Sequence, residues 1–428
     1  MKASSRRGIF LAFLLFTGIA LFLPAQEDAG RGEGLTLKVA VIGPGDELYF
    51  WWGHIALVIE DASEGSSWFY DWGIFSFDAD RFFSSFAMGR LVYMCGVSPA
   101  DLNYRVYRRS NRDITLYTLD MSPEKKEEIR RFAENNVLPE NRAYLYHHFK
   151  HNCTGPLLNI IDMITDGQFR STYEGVPGRF TLRQHVRRHT WFNPLLDWIL
   201  NFWMGQDIDT PITVWQEMFL PSEVGTRIGE FSYTDENGAA RKLVSDIEVG
   251  NRSVNRPPVL DKPRLQWPRE LCLGVFIALV LFLIRFFGRN PKFKKAETAL
   301  RRTDGILQAG LGLFFGIAGS LLFFLTFFTD HDYTWHNSNV IFVNFLLLAA
   351  VPLGIIRAFS AQSRRRFMAE RFLEFLWTYV FLGGLVSILI KLSPGFWQQN
   401  QVTQALVMPW AFALSVFPGR IALFFRKK

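Results

Sequence analysis

Cysteine is nearly absent. The 428-residue chain holds three, Cys95, Cys153 and Cys272. Three thiols cannot build a disulfide framework, and none sits at the spacing of a zinc site. No HExxH stretch accompanies the histidines, and no internal repeat is visible. No metal and no cofactor are therefore expected. An acidic excess is also missing: 47 Lys and Arg against 40 Asp and Glu leave a net charge of +7.

That positive charge is clustered. Arg289, Lys292, Lys294, Lys295, Arg301 and Arg302 form one group, Arg364 to Arg366 a second, and Arg426 to Lys428 a third. Each stands beside a long apolar run, which is the pattern of membrane flanks on the cytoplasmic side and not of nucleic-acid binding. Five runs of roughly 20 apolar residues, the length a bilayer core demands, cover about 269–287, 305–328, 339–359, 372–392 and 402–425. Basic groups after the first, third and fifth orient the bundle, so the front half lies outside. The start agrees: Lys2, Arg6 and Arg7 precede "GIFLAFLLFTGIALFL", and Ala25 offers a cleavage point. Residues 1–26 thus read as a signal peptide or uncleaved signal anchor, 27–250 as an exported domain, 251–268 as a Pro-rich linker and 269–428 as five membrane helices. The outer loop 329–339, "TDHDYTWHNSN", is crowded with polar groups; it either has a function or anchors at the interface through Tyr333 and Trp335.

In the exported part, β-branched alternation predicts strands at 35–43, 54–61, 66–77, 88–97 and 113–121. Ser122 caps a predicted helix over 122–138, and "TGPLLNIIDMI" reads as a second. Residues 180–222 look helical, 229–248 hairpin-like around "DENG", and 255–268 like a semi-stiff linker. Strands with helices packed to one side make an α+β domain.

The stretch "YHHFKHNCTGPL" (146–157) concentrates polar chemistry. As a metal site it lacks further ligands at the right spacing. As ordinary structure, Cys153 is a small buried residue at a helix start. As a nucleophile, Cys153 stands at the positive end of a helix dipole, which favours thiolate. In "WWGHIALVIED" His54 opens a strand, and "FYDWG" supplies Asp71 on the next; thiol, base and orienting carboxylate can then come from adjacent elements.

Those motifs, with "FAMGRLVYM", "YLYHHFKHNCTGPLLNIID" and "MFLPSEV", resemble the exported domain named for the bacterial lipoprotein N-acyltransferase Lnb. The tail with "HDYTWHNSNVIFVNF" resembles the membrane domain attached to it. The order His strand, polar strand, Cys helix is also similar to the circularly permuted, papain-like NlpC/P60 superfamily. The resemblance implies a permuted papain-like domain on a five-span bundle in the bacterial inner membrane, with the domain on the periplasmic side. It implies a membrane phospholipid as acyl donor, a thioester on Cys153, and the N-terminal amine of a lipoprotein as acceptor. His54 would move the protons, Asp71 would orient it, helix-end N–H groups would hold the oxyanion, and Asn152 matches an "NC" pair. Tyr146, His148 and His151 shape the pocket or are plain surface polarity. Tyr49, Trp51 and Trp52 line an acyl groove or belong to core and interface. Arg183 meets a phosphate or is solvated. A tethered cell-wall peptidase and a non-enzymatic scaffold are the rival readings.

Overall fold

The computed structural model describes residues 32–75, 82–393 and 395–418. The expected signal segment and the end of the expected fifth span lie outside them. Among the described residues nine strands form: β1 (Leu35–Ile42), β2 (His54–Asp61), β3 (Ser66–Ile74), β4 (Val92–Pro99), β5 (Ile114–Leu119), β6 (Ala143–Leu145), β7 (Ser232–Thr234), β8 (Ala240–Lys242) and β9 (Val244–Asn251). Seven build one antiparallel sheet in the order β6-β4-β3-β2-β1-β5-β9, and β7 pairs with β8 around the expected DENG turn. The exported-domain helices are α1 (Phe82–Met88), α2 (Ala100–Arg109), α3 (Pro123–Asn136), α4 (Thr154–Ile164), α5 (Gln168–Tyr173), α6 (Leu182–Thr190), α7 (Pro194–Trp203), α8 (Val214–Glu217) and α9 (Pro221–Glu230).

The central strands bury both faces. Leu37, Val39, Ile55, Leu57 and Trp72 meet Leu157, Ile160 and Ile161 of α4 and Ile129 of α3. Ala40, Ile42, Ala56, Val58 and Phe69 meet Ala100, Tyr104 and Tyr107 of α2. The expectation of helices on one side only is corrected here: alternate residues on both faces are apolar, so α2 must cover the second. Ser122 caps α3 as expected, its hydroxyl accepting from Lys125 N.

The helical domain holds α10 (Trp267–Gly288), α11 (Glu297–Phe328), α12 (Ala350–Phe359), α13 (Ser363–Leu389) and α14 (Gln401–Leu414). Among the described residues four helical segments are long and apolar enough to cross a membrane: Trp267–Gly288, Pro291–Phe328, Ser338–Phe359 and Ser363–Leu392. The expected fifth span is represented by α14, whose 14 residues reach only about 21 Å at ~1.5 Å per residue.

The linker is not a loose tether. Leu260 exchanges two backbone contacts with Arg188, donating from its N–H to the Arg188 carbonyl and accepting from Arg188 Nε. Trp191 Nε1 donates to the Pro258 carbonyl, and Arg256 pairs with Asp46. Trp198 and Phe202 of α7 sink into the bundle core beside Phe315, Phe342 and Trp410.

Arg183 is fully buried, a correction to the expected phosphate contact or solvated residue. Its Nε donates to Asp209 at 2.7 Å, and its terminal nitrogens donate to the carbonyls of Asn201, Met204 and Gly205. Arg183→Leu should cost about 3–5 kcal/mol, because Asp209 is then buried without its cation. Thermal unfolding of the detergent-solubilised chain should show it as a lowered midpoint, with Arg90→Lys at an exposed pair nearly silent.

Candidate active site

β2 opens with His54 at the rim of the sheet, after Gly53, whose φ of +80° suits glycine. The imidazole Nε2–H donates to Asp71 Oδ1 at 2.8 Å. The same carboxylate oxygen accepts from Gly73 N at 2.6 Å. Asp71 therefore fixes the ring and leaves Nδ1 as its other nitrogen. Gly73 is required by this arrangement: a Cβ there would lie 2.6 Å from His54 Cε1 and 3.0 Å from Asp71 Oδ1.

Burial alone would lower the His54 pKa, but the Asp71 carboxylate, with smaller help from Tyr107 and Cys153, holds it well above its usual value. Burial raises the Asp71 pKa, and the facing imidazole, its hydrogen bond and the Gly73 N–H bring it below the ordinary carboxylate range. Both directions describe an imidazolium–carboxylate pair. Arg112 contributes to holding Asp71 ionised. It is almost fully buried, with its guanidinium 4.5 Å from the centre of the Phe50 ring. Nothing in "SNRDIT" marks Arg112 as more than a turn residue.

Cys153 directly precedes α4 and is half-buried. Asn152 sets that junction. Its amide donates to the His148 and Phe219 carbonyls, and its Oδ1 accepts from Thr154 N and Oγ1. This narrows the expected helix-end oxyanion site: Thr154 N is taken by Asn152, Gly155 N donates to the Asn152 carbonyl, and Pro156 has no N–H. The N–H of Cys153 is the remaining donor of that turn.

The three histidines before Cys153 are spent on shaping its loop. His147 Nδ1 accepts from the N–H groups of Phe149 and Lys150, and its Nε2–H donates to Asp332 at 2.7 Å. His151 Nδ1–H donates to the Leu145 carbonyl, and His148 Nδ1 shares a 3.3 Å hydrogen bond with the Tyr146 hydroxyl. No cluster able to hold a metal occurs among the described residues.

His54 and Cys153 line one cavity of about 290 Å³, together with Trp52, Tyr146 and His148. Tyr49 lines it too, whereas Trp51 is buried in the packing behind. The thiol and imidazole are not hydrogen-bonded to each other; such pairs are commonly loose before substrate binds. Two cavity-lining side chains carry buried nitrogens without a partner among the described residues, Trp52 Nε1 and His148 Nε2. Burial pushes His148 down to about 4, so its ring is neutral. Arg183 and Asn152 do not line the cavity.

The membrane domain completes the wall. Asp330, His331 and Tyr333 of the outer loop line the same cavity. Arg90 pairs with Asp330 at 2.6 Å, Lys150 pairs with Asp332, and His331 Nε2–H donates to the Phe86 carbonyl. The polar groups of this loop thus have partners in the exported domain.

Fold and site define a membrane protein whose α+β domain carries a cavity lined by a cysteine and an aspartate-bound histidine, with a loop of its own helical bundle in the wall. The Lnb N-terminal periplasmic domain matches residues 28–188, and the Lnb transmembrane domain matches residues 269–416. The chain belongs to the Lnb-like family and is a multi-pass membrane protein with a periplasmic N-terminal domain. No curated protein and no solved structure matches it.

Gly73→Ala should displace the imidazole without unfolding the sheet, and slow iodoacetamide alkylation of Cys153 about tenfold at neutral pH; an unchanged rate means the ring does not act on the thiol. His148 gives a second expectation. Its folded pKa of about 4 lies below the usual 6.5, so the unfolded chain binds the extra proton between those values. Stability is then present above the upper value and lost as pH falls toward the lower one. Melting temperatures should decline across that window, and less so in His148→Gln.

Proposed function

We propose that the chain is a thiol acyltransferase of the bacterial inner membrane, with a permuted papain-like domain. It moves an acyl chain from a phospholipid, through a thioester on Cys153, to the N-terminal amine of a lipoprotein. The observation that carries this reading is the sharing of one largely aromatic cavity by Cys153, the Asp71-bound His54 and the outer loop of the membrane bundle. With the thiol proton of Cys153 carried on Nδ1 of the His54 imidazolium, the sulfur attacks the ester carbonyl. The tetrahedral intermediate collapses as the imidazolium protonates the departing lysophospholipid oxygen. In the second half the amine attacks the thioester, His54 takes its proton, and that proton returns to the departing sulfur. One ester and one amine become one alcohol and one amide, with the thiol regenerated.

The N–H of Cys153 would stabilise both oxyanions, with the nitrogens of Trp52 and His148, unpartnered among the described residues, as further donors. The apolar part of the lining disfavours water and so favours transfer over hydrolysis. The strand-borne His54 and Asp71 followed by the helix-borne Cys153 support the papain-like reading by their order.

Intact-protein mass spectrometry of the full chain in phospholipid vesicles tests it. A fatty-acyl adduct should form on Cys153, disappear on adding a diacylated lipopeptide, and be absent in Cys153→Ala. His54→Gln should slow its formation by about 10²–10⁴-fold, the range of general acid–base catalysis. An unmodified thiol in vesicles, with cleavage of muropeptides instead, would sink the reading in favour of a peptidase.

A further inference from the structure

Helix α1 reads "FFSSFAM", and it is unusually bare. Phe83 is 76% exposed and Phe86 54% exposed. Exposed rings at this density on a short surface helix need an apolar partner. The position of α1 identifies that partner. The helix ends against the outer mouth of α11, where Asp330 N donates to the Met88 carbonyl and Phe86 packs edge-on to His331, ring centres 6.3 Å apart. The last residues of α11, Phe327 and Phe328, are 58% and 59% exposed, and that helix belongs to a membrane-crossing segment. The bare rings of α1 are therefore continuous with a surface that faces lipid.

A second observation leads from α1 inward. Its rings begin an unbroken stack. Phe86 lies 6.3 Å from Phe82, Phe82 6.2 Å from Phe75, Phe75 5.0 Å from Tyr93, and Tyr93 4.0 Å from Tyr146. All four pairs are within 23° of parallel. Phe86, Phe75, Tyr93 and Tyr146 also line the cavity of Cys153. The stack presents ring faces and edges, with hydroxyls only at its inner end, so an alkyl chain laid along it loses no hydrogen bonds to water.

We propose that α1 is inserted in the outer leaflet of the bilayer that α11 crosses, and that the stacked rings lead a single acyl chain sideways from that leaflet to Cys153. The insertion stands by itself; the identity of the chain's carrier as acyl donor rests on the function proposed above. The monotopic helix makes the periplasmic domain touch lipid at its own active-site mouth, independently of the bundle that tethers it.

The test uses the full chain in phospholipid vesicles. A nitroxide is attached to Phe83→Cys in a background carrying Cys153→Ala and Cys272→Ala, with Ser63→Cys as the water-exposed control. Relaxation by oxygen should exceed relaxation by a polar nickel complex at position 83 and fall below it at position 63. Equal, water-like behaviour at both positions overturns the insertion. A second arm uses Phe83→Asp, which leaves the cavity lining untouched. It should slow acylation of Cys153 by vesicle phospholipid about tenfold, because interfacial binding scales with the apolar area a helix buries and this ring is lost. It should leave acylation by a water-dissolved short-chain thioester unchanged. Equal slowing with both donors, or none with either, overturns the lateral path. If the unsubstituted chain accepts no acyl group from any donor, the function proposed above fails while the nitroxide depth still decides the insertion.

Discussion

Everything about the position of the cavity depends on burying a strongly basic helix. Arg183, His185, Arg187, Arg188 and His189 of α6 are all buried, although each carries groups that water solvates well. An unpaired buried charge is too costly to persist, so each must find fixed partners. They come from every direction. Asp209 and three carbonyls at the end of α7 take Arg183. Glu217 accepts from His185, and the Leu260 carbonyl of the linker accepts from Arg188. The Gln399 carbonyl, between α13 and α14, accepts from Arg187, and Gln399 N donates to Asp209. Helix α6 is thus the joint where exported domain, linker and bundle are locked together.

A second junction reinforces the first. Asn337 and Asn339 donate to the Phe202 carbonyl, and Gln398 donates to Met204 O and Asn337 Oδ1. Gly205 passes so close to the Trp335 carbonyl that a Cβ would lie 1.6 Å from it. Between these junctions the outer loop has little freedom, and its Asp332 holds His147 and Lys150 in the turn that presents Cys153. The thiol is therefore tied to the membrane bundle by a few hydrogen bonds, though Asp332 lies 179 positions from it in the sequence.

Local pattern made much of this legible. Alternation delimited β2 at His54–Asp61, and the switch from polar to apolar period marked α4 at Thr154–Ile164. His54 and Asp71 were legible because adjacent antiparallel strands bring a strand start and a strand end together. What escaped was long-range. Helix α2, "ADLNYRVYRR", is too polar to announce itself, and only the second apolar sheet face calls for it. Arg112 and Arg183 look like solvated charges until distant carbonyls and rings enclose them. The role of "TDHDYTWHNSN" depends on contacts with residues 86–90, 147–150 and 202–207, which no periodicity encodes. The shape of the basic joint is invisible for the same reason: each arginine is read locally as surface.

The cavity lining is of two chemical kinds. Leu48, Tyr49, Phe50, Phe75 and Phe86 give it apolar lining, and His147, Asp330, His331 and Tyr333 give it polar lining. On the acyl-transfer reading the donor's chain belongs to the first and the acceptor's amine to the second, so the two need not compete for the same surface. The polar wall comes largely from the bundle loop and the apolar wall from the sheet domain. Their relative placement is set by the buried basic joint, because neither wall is held by its own domain alone. On the same reading a thioester on Cys153 would meet rings of the apolar lining, and its nucleophile would hydrogen-bond to carboxylate or phenol oxygen of the polar lining. On that reading water finds few partners at the first and must displace bonded side chains at the second, which would let a single histidine serve two successive transfers with little loss to hydrolysis.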